Sequence, residues 1–583
     1  MRGKEGTSLI DLLIALAILA LLFGGIYLVY FSILDSTSNV ELRTEATAVL
    51  NQQIEIIRNL PYGEVGTVGG IPTGIILQTQ LVSWGNQVFA VTTTVRNIDD
   101  PFDGTLGGSP SDTSPADYKL VSLEIGCANC AKFVPLFFST NVAPKNLETA
   151  SSTGSLFVNV FDSSGLGISG ATVRVVNAST TPTIDLTDIT NSAGILQLVG
   201  VPTSSQSYSV EVTKSGYSSD KTYPIGGVSN PNPIMPHATV AAQAVTSISF
   251  AIDRTSQMNV YTSDYLCSVV PGKSFSIAGE KIIGTPSVLK FSTTSVTDAN
   301  GAKTFTTLEW DRYTLGLTSG GHDVSGVIAE NPVSVNPATN VDFRFVLSPS
   351  NPEKILVGVK DAGTGLGIQN ANISLSRPGF SSVATSGQAS VVRTNWSGGA
   401  YDSLSGTDAE TLPGAITLLA NASGTYSTAG SGWLISQTID LGGSASTLKN
   451  FFWNGDVPAE TGAESVRFQL AGNNDNATWD FSGTDGTSGT YYTAANFEPH
   501  SVTNGKRYIR FKAFLSTADG SFTPRIEEVM IAFTGACVPI RQVLFSGLAA
   551  DTYTLSVSAA GYSATSSDVS IPAVSQVEVL LSP

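Results

Sequence analysis

Four cysteines carry the most evident chemistry in this chain of 583 residues. Cys127 and Cys130 form a C-x-x-C pair, whereas Cys267 and Cys537 stand alone in the sequence. A redox pair is expected in a βαβ context, and a zinc site requires a second pair of ligands. Neither feature is recognisable in the sequence. The pattern therefore favours structural disulfides, and four cysteines leave three pairings open.

Other residues that commonly perform catalysis are few and scattered. His237, His322 and His500 lie in separate regions, without an H-x-x-x-H pattern or a neighbouring group of Cys and Asp. No G-x-S-x-G elbow, P-loop or pair of catalytic carboxylates is recognisable. We therefore expect a protein that is not an enzyme and that uses no cofactor.

One glycine motif has the spacing of a dinucleotide-binding loop, with Gly165, Gly167 and Gly170 in the order G-x-G-x-x-G. Such a loop binds phosphate only where it joins a strand to the N-terminus of a helix. The segment after it, 171–176, reads ATVRVV, and its β-branched residues predict a strand. The glycines are therefore expected to form a hairpin turn.

Two polar regions are candidates for ligand binding. Asp99, Asp100 and Asp103 offer the oxygen atoms that calcium prefers, but turns rich in Asp are commoner, so no metal is predicted. The second region combines amides, carboxylates and aromatic rings, as sugar sites do, and its predicted ligand surface comprises Asn474, Asp475, Asn476, Asp485, Tyr491 and Tyr492. The alternative is a plain turn beside core aromatic residues, among them Trp453, Trp479 and Tyr508.

The N-terminus is predicted to form one long helix that crosses a membrane. Residues 12–31 are an apolar run of twenty, which is long enough to span a bilayer. Arg2 and Lys4 precede this run, so the positive-inside rule places the first residues in the cytoplasm. A secretory signal peptide would need a small-residue cleavage site after the run, and none is clear. Apolar residues then continue at helical spacing until Pro61, at Val49, Leu50, Ile54 and Ile57.

This segment resembles the N-terminus of type IV prepilins. In that family a leader ends in Gly, and an acidic residue stands fifth in the mature chain; here these positions correspond to Gly6 and Asp11, with Thr7 as the new N-terminus. The family usually has Phe or Met first and Glu fifth, so Thr7 and Asp11 depart from its pattern. The resemblance implies cleavage by a prepilin peptidase, methylation, and assembly with other pilin subunits through Asp11. The alternative is an ordinary signal anchor.

The region 61–150 resembles the small globular part of minor pilins and pseudopilins. Its pattern is a strand at 88–95, an acidic turn at 97–104 and a second strand at 118–125. The expected organisation is therefore a leader at 1–6, a pilin helix at 7–60 and a small β region at 61–150.

Internal repeats begin near residue 153. Two strands that end in Asp, LFVNVFD at 156–162 and ILVGVKD at 355–361, are each followed by a G-L-G-I turn and a second strand. A downstream element recurs three times, at 188–217, 298–315 and 545–562. These blocks resemble carboxypeptidase regulatory-like and collagen-adhesin B-type domains, which implies immunoglobulin-like β-sandwiches at 151–254, at 255–350, and at 351–389 together with 537–583.

The segment 390–536 separates the two parts of the third sandwich. Its strand signals, at 433–439, 448–453, 465–470, 507–515 and 526–533, resemble jelly-roll sandwiches of the discoidin and lectin kind. Insertion into a sandwich is plausible because exposed loop tips tolerate it. The expected fold class is thus mainly β with one long N-terminal helix, a pilin-like region, tandem sandwiches and an inserted jelly-roll-like sandwich.

Composition limits the classes of function. The formal net charge is −17 and charged residues make up 13% of the chain, so nucleic acid, which needs clustered Lys and Arg, is not an expected partner. Together with the resemblances, this predicts a minor type IV pilin or pseudopilin-like subunit, held in the inner membrane by a single pass and then displayed at the cell surface. Its sandwiches would serve attachment, with a glycan as one candidate ligand. The alternative is a membrane-anchored stalk that enters no filament.

Overall fold

The computed structural model describes residues 9–106, 108–112, 114–127, 130, 133–145, 152–412, 414–444 and 446–583. The chain forms two compact units. The first comprises residues up to Thr255 together with Ile282–Val288, and the second comprises Ser256–Lys281 and Leu289–Pro583. Each unit is mainly β, and the first also contains the long helix, so the predicted fold class is confirmed.

Helix α1 (Leu9–Arg58) is continuous over 50 residues and ends just before Pro61, as its sequence predicts. Its second half packs under an antiparallel sheet with the strand order β1-β2-β3-β4. The four predicted apolar positions, from Val49 to Ile57, are buried there. The strands are β1 (Thr79–Trp84), β2 (Gln87–Ile98), β3 (Tyr118–Cys127) and β4 (Leu136–Val142).

A short 3-10 turn (Tyr62–Glu64) connects the helix to this sheet. The buried side chain of Lys119, on β3, reaches the turn, and its Nζ donates to the carbonyls of Tyr62 (2.7 Å) and Val65 (2.6 Å). Burial lowers the pKa of Lys119 to about 8. The lysine therefore ties the end of the helix to the sheet.

The first sandwich completes the first unit. Its two sheets have the orders β10-β9-β6-β7, with β11 beside β9, and β12-β5-β8, and they enclose a core that includes Val158, Val175 and Phe250. The strands are β5 (Gly154–Phe161), β6 (Thr172–Asn177), β7 (Ile184–Ile189), β8 (Ile195–Val201), β9 (Ser204–Thr213), β10 (Asp220–Lys221), β11 (Ala238–Val240) and β12 (Val245–Ala251).

Polar contacts join the first sandwich to the sheet β1–β4. Arg96 pairs with Asp188, and the Asn97 amide donates to the Val199 carbonyl (2.9 Å).

The G-L-G-I turn precedes β6, and Gly165 and Gly170 have φ of 84° and 67°. These left-handed conformations favour glycine, so the motif serves a turn between strands.

The second unit begins with another sandwich. Its sheets have the orders β18-β13-β22-β20 and β17-β14-β19-β21. The strands in this part of the chain are β13 (Ser256–Ser263), β14 (Ser274–Gly279), β15 (Ile282–Gly284), β16 (Val288–Leu289), β17 (Ser292–Val296), β18 (Ala302–Leu308), β19 (Asp311–Leu317), β20 (His322–Ile328), β21 (Val333–Val335) and β22 (Asn340–Pro349). Of these, β15 belongs to the first unit.

The third sandwich opens with β23 (Lys354–Asp361), β24 (Asn372–Arg377) and β25 (Phe380–Thr385). The chain then leaves it for eleven strands of a separate sandwich, here called the insert. These strands are β26 (Ala389–Arg393), β27 (Tyr401–Ser405), β28 (Thr407–Asp408), β29 (Thr417–Leu418), β30 (Gly432–Ser436), β31 (Ile439–Asp440), β32 (Thr447–Asn454), β33 (Val466–Asn473), β34 (Asn496–Phe497), β35 (Tyr508–Leu515) and β36 (Glu528–Thr534).

The insert has its own core between the sheets β26-β36-β32-β34 and β27-β30-β35-β31, with β33 beside β35. The third sandwich then closes around a different core with β37 (Gln542–Ser546), β38 (Thr552–Ser558), β39 (Thr565–Ser570) and β40 (Gln576–Leu581). In all three repeated sandwiches the first and last strands run parallel to each other, as β5 with β12, β13 with β22 and β23 with β40.

Candidate functional site

The apolar half of helix α1 is the first candidate site. Its side chains are exposed, as Leu21 (78%) and Leu28 (72%) illustrate, and Leu16–Arg58 contains a stretch that is apolar and long enough to cross a membrane. Asp11 lies near the start of this helix, whereas Gly6 and Thr7 lie outside the described residues. The same helix thus has an exposed apolar half and a second half that packs under the sheet β1–β4.

Both pairs of cysteines are joined. Cys127 is bonded to Cys130 at the end of β3, and Cys267 is bonded to Cys537 across a sequence separation of 270. The second bond links the β13–β14 loop to the chain that leaves the insert, and Tyr265 and Leu266 of that loop pack against the insert core. Sequence left the pairing open, because only the fold brings residues so distant in sequence together.

The three histidines each contact local neighbours. His237 Nδ1 lies 2.9 Å from Thr222 Oγ1, His322 Nδ1 lies 3.0 Å from Lys273 Nζ, and His500 caps a short turn by accepting from the Val502 amide. None of these contacts involves the serine, histidine and carboxylate arrangement of a hydrolase.

The acidic loop after β2 uses its carboxylates internally. Asp99 Oδ2 accepts from the Leu106 amide (3.0 Å), and Asp100 donates its amide to the carboxylate of Asp117. Burial, followed by the nearby carboxylates of Asp112 and Asp117, raises the pKa of Asp99. Within the described residues, no group of three or more His, Cys, Asp or Glu is placed to hold a metal.

The Asn and Asp residues of the predicted ligand surface hold loops of the insert in shape. Asn474 accepts from the Arg507 amide (2.8 Å), and Asp475 accepts from the amides of Ala477 (2.9 Å) and Thr478 (3.0 Å). Asn476 Oδ1 accepts from Thr438 Oγ1 (3.1 Å). These contacts are those of a structured turn, and a ligand surface at these exposed residues stays a prediction.

The remaining members of the predicted ligand surface are Asp485, Tyr491 and Tyr492, and they differ in their contacts and in their exposure. The Asp485 carboxylate accepts from Thr490 Oγ1 (2.6 Å) and from the amide and hydroxyl of Thr487, and these bonds lower its pKa to about 2. Tyr492, expected at the surface, is instead only 4% exposed and stacks on Phe497 at 4.0 Å. The expectation for Tyr492 was wrong because its neighbour Tyr491 takes the outward position in the same loop.

A different surface of the insert gathers cations and aromatic rings. Strand β35 alternates between buried residues, such as Phe511 and Ala513, and half-buried residues that point away from the core. Across the strands, Phe514 stands opposite both Trp433 of β30 and Arg467 of β33. We call this outward surface the cation–aromatic face, and define it as Trp433, Arg467, Trp479, Tyr491, Arg510, Lys512 and Phe514.

The cations of this face lie over its rings. Lys512 Nζ is 4.3 Å from the centre of the Trp433 ring and 5.0 Å from that of Phe514. The Arg467 guanidinium lies 4.6 Å from the Tyr491 ring, and Arg510 lies 4.4 Å from Trp479. Such contacts hold cations and rings in fixed positions.

The charges of the face are unequally neutralised. Arg510 Nη1 pairs with Asp402 at 2.7 Å, whereas no ion pair of Lys512 or Arg467 is found in the described part of the chain. Burial lowers the pKa of Lys512. The sequence signal was present in the alternation of Arg510, Lys512 and Phe514, but sequence does not show which strands flank them.

Comparisons with known proteins assign no family. No family model matches the chain, and no curated protein matches it. Similar solved structures include the TIE protein of Bacillus anthracis, with 13% identity over 53% of this chain and 66% of that chain and a TM-score of 0.16. A streptococcal ancillary pilin has 10% identity over 46% of this chain and 80% of its own, with a TM-score of 0.17. The minor pilin GBS52 of Streptococcus agalactiae has 11% identity over 34% of this chain and 99% of its own, also with a TM-score of 0.17.

Proposed function

We propose that this protein is a minor type IV pilin or pseudopilin-like subunit whose β-sandwiches serve surface attachment. The observation that carries the proposal is the division of helix α1 into two halves. The first half exposes apolar side chains, and the second half, including Val49 and Ile54, packs under a four-stranded antiparallel sheet. A simple membrane anchor needs only the first half.

The acidic residue near the start of the helix supports assembly into a filament. A carboxylate within the apolar layer of a membrane is costly unless it has a partner. Cleavage after Gly6 would free the α-amino group of Thr7, and in a filament this amine can pair with Asp11 of a neighbouring subunit. The proposed partners are therefore other pilin subunits and a prepilin peptidase.

The size of the extracellular part supports a minor role in the filament. Three sandwiches and the insert follow the pilin-like sheet, and repeating this mass at every position would crowd the helical packing of subunits. We infer no catalytic role for the chain. The insert, with its separate core, is the proposed contact with a surface ligand, for which a glycan is the candidate.

Processing of the N-terminus tests the proposal. Mass spectrometry of the protein from its native membrane should find a chain that begins at Thr7 and carries a methyl group. A chain that still begins at Met1 would favour the alternative, in which the sandwiches form a stalk that enters no filament. A secretion pseudopilin shares the same processing and is distinguished by its neighbouring assembly proteins.

Substitution of the acidic residue tests assembly itself. Asp11→Asn should abolish recovery of the protein in sheared filaments while leaving it in the membrane fraction. Glu41→Gln is the matched control, because Glu41 lies on the same helix beyond the apolar run and is exposed. Equal recovery of the Asp11 variant and the wild type in filaments would contradict the proposed assembly.

A further inference from the structure

The cation–aromatic face brings several cations and several aromatic rings together on one sheet. The protein carries a formal net charge of −17 and only 30 Lys and Arg residues. Three of these cations nevertheless project from adjacent strands of one sheet, and each lies over an aromatic ring. A local positive surface on an acidic protein attracts an anionic partner selectively.

Two of the three cations are available to a partner. Arg510 is already paired with Asp402, so it contributes mainly to the shape of the face. Lys512 and Arg467 have no ion pair in the described part of the chain, and Arg467 Nε is buried without a hydrogen-bond acceptor there. An acidic group of a ligand could therefore pair with Lys512 or Arg467 without displacing a carboxylate of the protein.

The aromatic rings decide what kind of anion fits. Trp433 and Phe514 lie on neighbouring strands, and Tyr491 meets Phe514 edge to face at 5.2 Å. Together with the cations that lie over them, these rings form one half-buried surface that is held in place by packing. Apolar surface next to fixed charges suits a ligand whose rings have apolar faces and whose rim carries acidic groups.

We propose that the cation–aromatic face binds an anionic polysaccharide, with sugar rings against Trp433 and Phe514 and acidic groups paired to Lys512 and Arg467. The shared chemistry is a pyranose chain that bears carboxylate or sulfate groups. Single-stranded nucleic acid is also an anion with stacking rings, and its binding is one of the outcomes that the test below distinguishes. The inference rests on the proposed attachment role of the insert and is independent of filament assembly.

Binding of defined polysaccharides to the full-length protein in detergent tests the inference. Polygalacturonate supplies carboxylates, heparin supplies sulfates, dextran is the neutral control and single-stranded DNA is the control polyanion. We expect binding to at least one of the two acidic polysaccharides, with affinity that falls as salt rises. Absence of binding to both, or equal binding of dextran or DNA, would overturn the inference.

Variants locate the site. Lys512→Gln together with Arg467→Gln should weaken binding by about tenfold or more, as should Trp433→Ala. Lys449→Gln is the matched charge control, because Lys449 is a half-buried lysine on β32 of the opposite sheet, and Phe522→Ala is the matched aromatic control. Circular dichroism melting would show that all variants remain folded.

Two results of these variants would overturn the assignment. One is an equal loss of binding in the Lys449 control, and the other is full binding by the double variant. Neither result touches the N-terminus, so mass spectrometry showing a chain that begins at Thr7 would leave the filament proposal standing even if this inference failed.

Discussion

Lys119 Nζ donates to the carbonyl of Val65 at 2.6 Å, which joins the centre of the sheet β1–β4 to the turn that follows helix α1. Above about pH 10.5, where burial no longer penalises a charged lysine, replacement by Met should lower the free energy of unfolding by about 1–3 kcal/mol, because it leaves a buried carbonyl without its donor. Chemical unfolding followed by circular dichroism would measure the change. Arg58→Gln, on the exposed end of the helix, is the control and should have little effect.

The same lysine makes stability depend on pH. Burial lowers its pKa from the ordinary lysine value of 10.5 to about 8 in the folded protein, so the unfolded chain binds more protons between these values. Stability should therefore rise by roughly 3 kcal/mol as the pH increases from about 8 to about 10.5. Lys119→Met should lack this rise. An identical pH profile for both proteins would show that Lys119 stays charged throughout.

The long-range disulfide should stabilise the second unit. Cys267→Ala with Cys537→Ala is expected to cost about 2–5 kcal/mol, since the cross-link closes a very long loop. Cys127→Ala with Cys130→Ala is the matched control, because that bond closes a loop of sequence separation 3. Calorimetry should show a larger decrease in melting temperature for the first pair. Equal decreases would contradict an effect of loop length.

Trp396 tests the core of the insert. It is fully buried, meets Phe511 edge to face at 5.9 Å, and its Nε1 has no acceptor in the described part of the chain. Trp396→Ala should cost about 3–5 kcal/mol, whereas Trp396→Phe should cost less than about 1.5 kcal/mol, because it also removes an unpaired donor. Thermal unfolding would compare them, and similar costs would indicate that the indole N–H has a partner.

Deletion of residues 390–536 should leave the third sandwich folded. The insert leaves and rejoins it side by side, since a Cβ added to Gly387 would lie 3.0 Å from the Ile540 carbonyl oxygen. The two cores are also separate. Limited proteolysis should therefore find the sandwich strands protected in the deletion variant. Rapid cleavage within β37–β40 would show that the insert is needed for folding.

Local patterns accounted for much of the fold. Period-2 alternation and turn glycines predicted the strands after Gly165 and Gly365, and helical spacing predicted the buried positions Val49 and Ile57. These features depend on residues close in sequence.

The candidate site was less predictable because it depends on contacts between distant residues. The partnership of Cys267 with Cys537, and of Lys512 with Trp433, follows from strand order, which alternation does not encode. The sequence shows that Tyr491 and Tyr492 are neighbours, but it does not show which of the two rings faces the core. One residue of offset decides which ring is buried.

The bond between Cys267 and Cys537 also determines how mechanical tension passes along the chain. If a ligand pulls on the insert while helix α1 is held, the force reaches residue 267 and crosses directly to residue 537. The strands β14–β25 are then bypassed by the disulfide and carry no tension. The strands β37–β40 follow residue 537 and carry none either. When extended, a chain spans about 3.3–3.6 Å per residue, so these shielded strands could add much length if they unfolded. They do not add it while the disulfide is intact. The part of the chain after residue 267 would therefore add little length under load until the sulfur–sulfur bond is reduced.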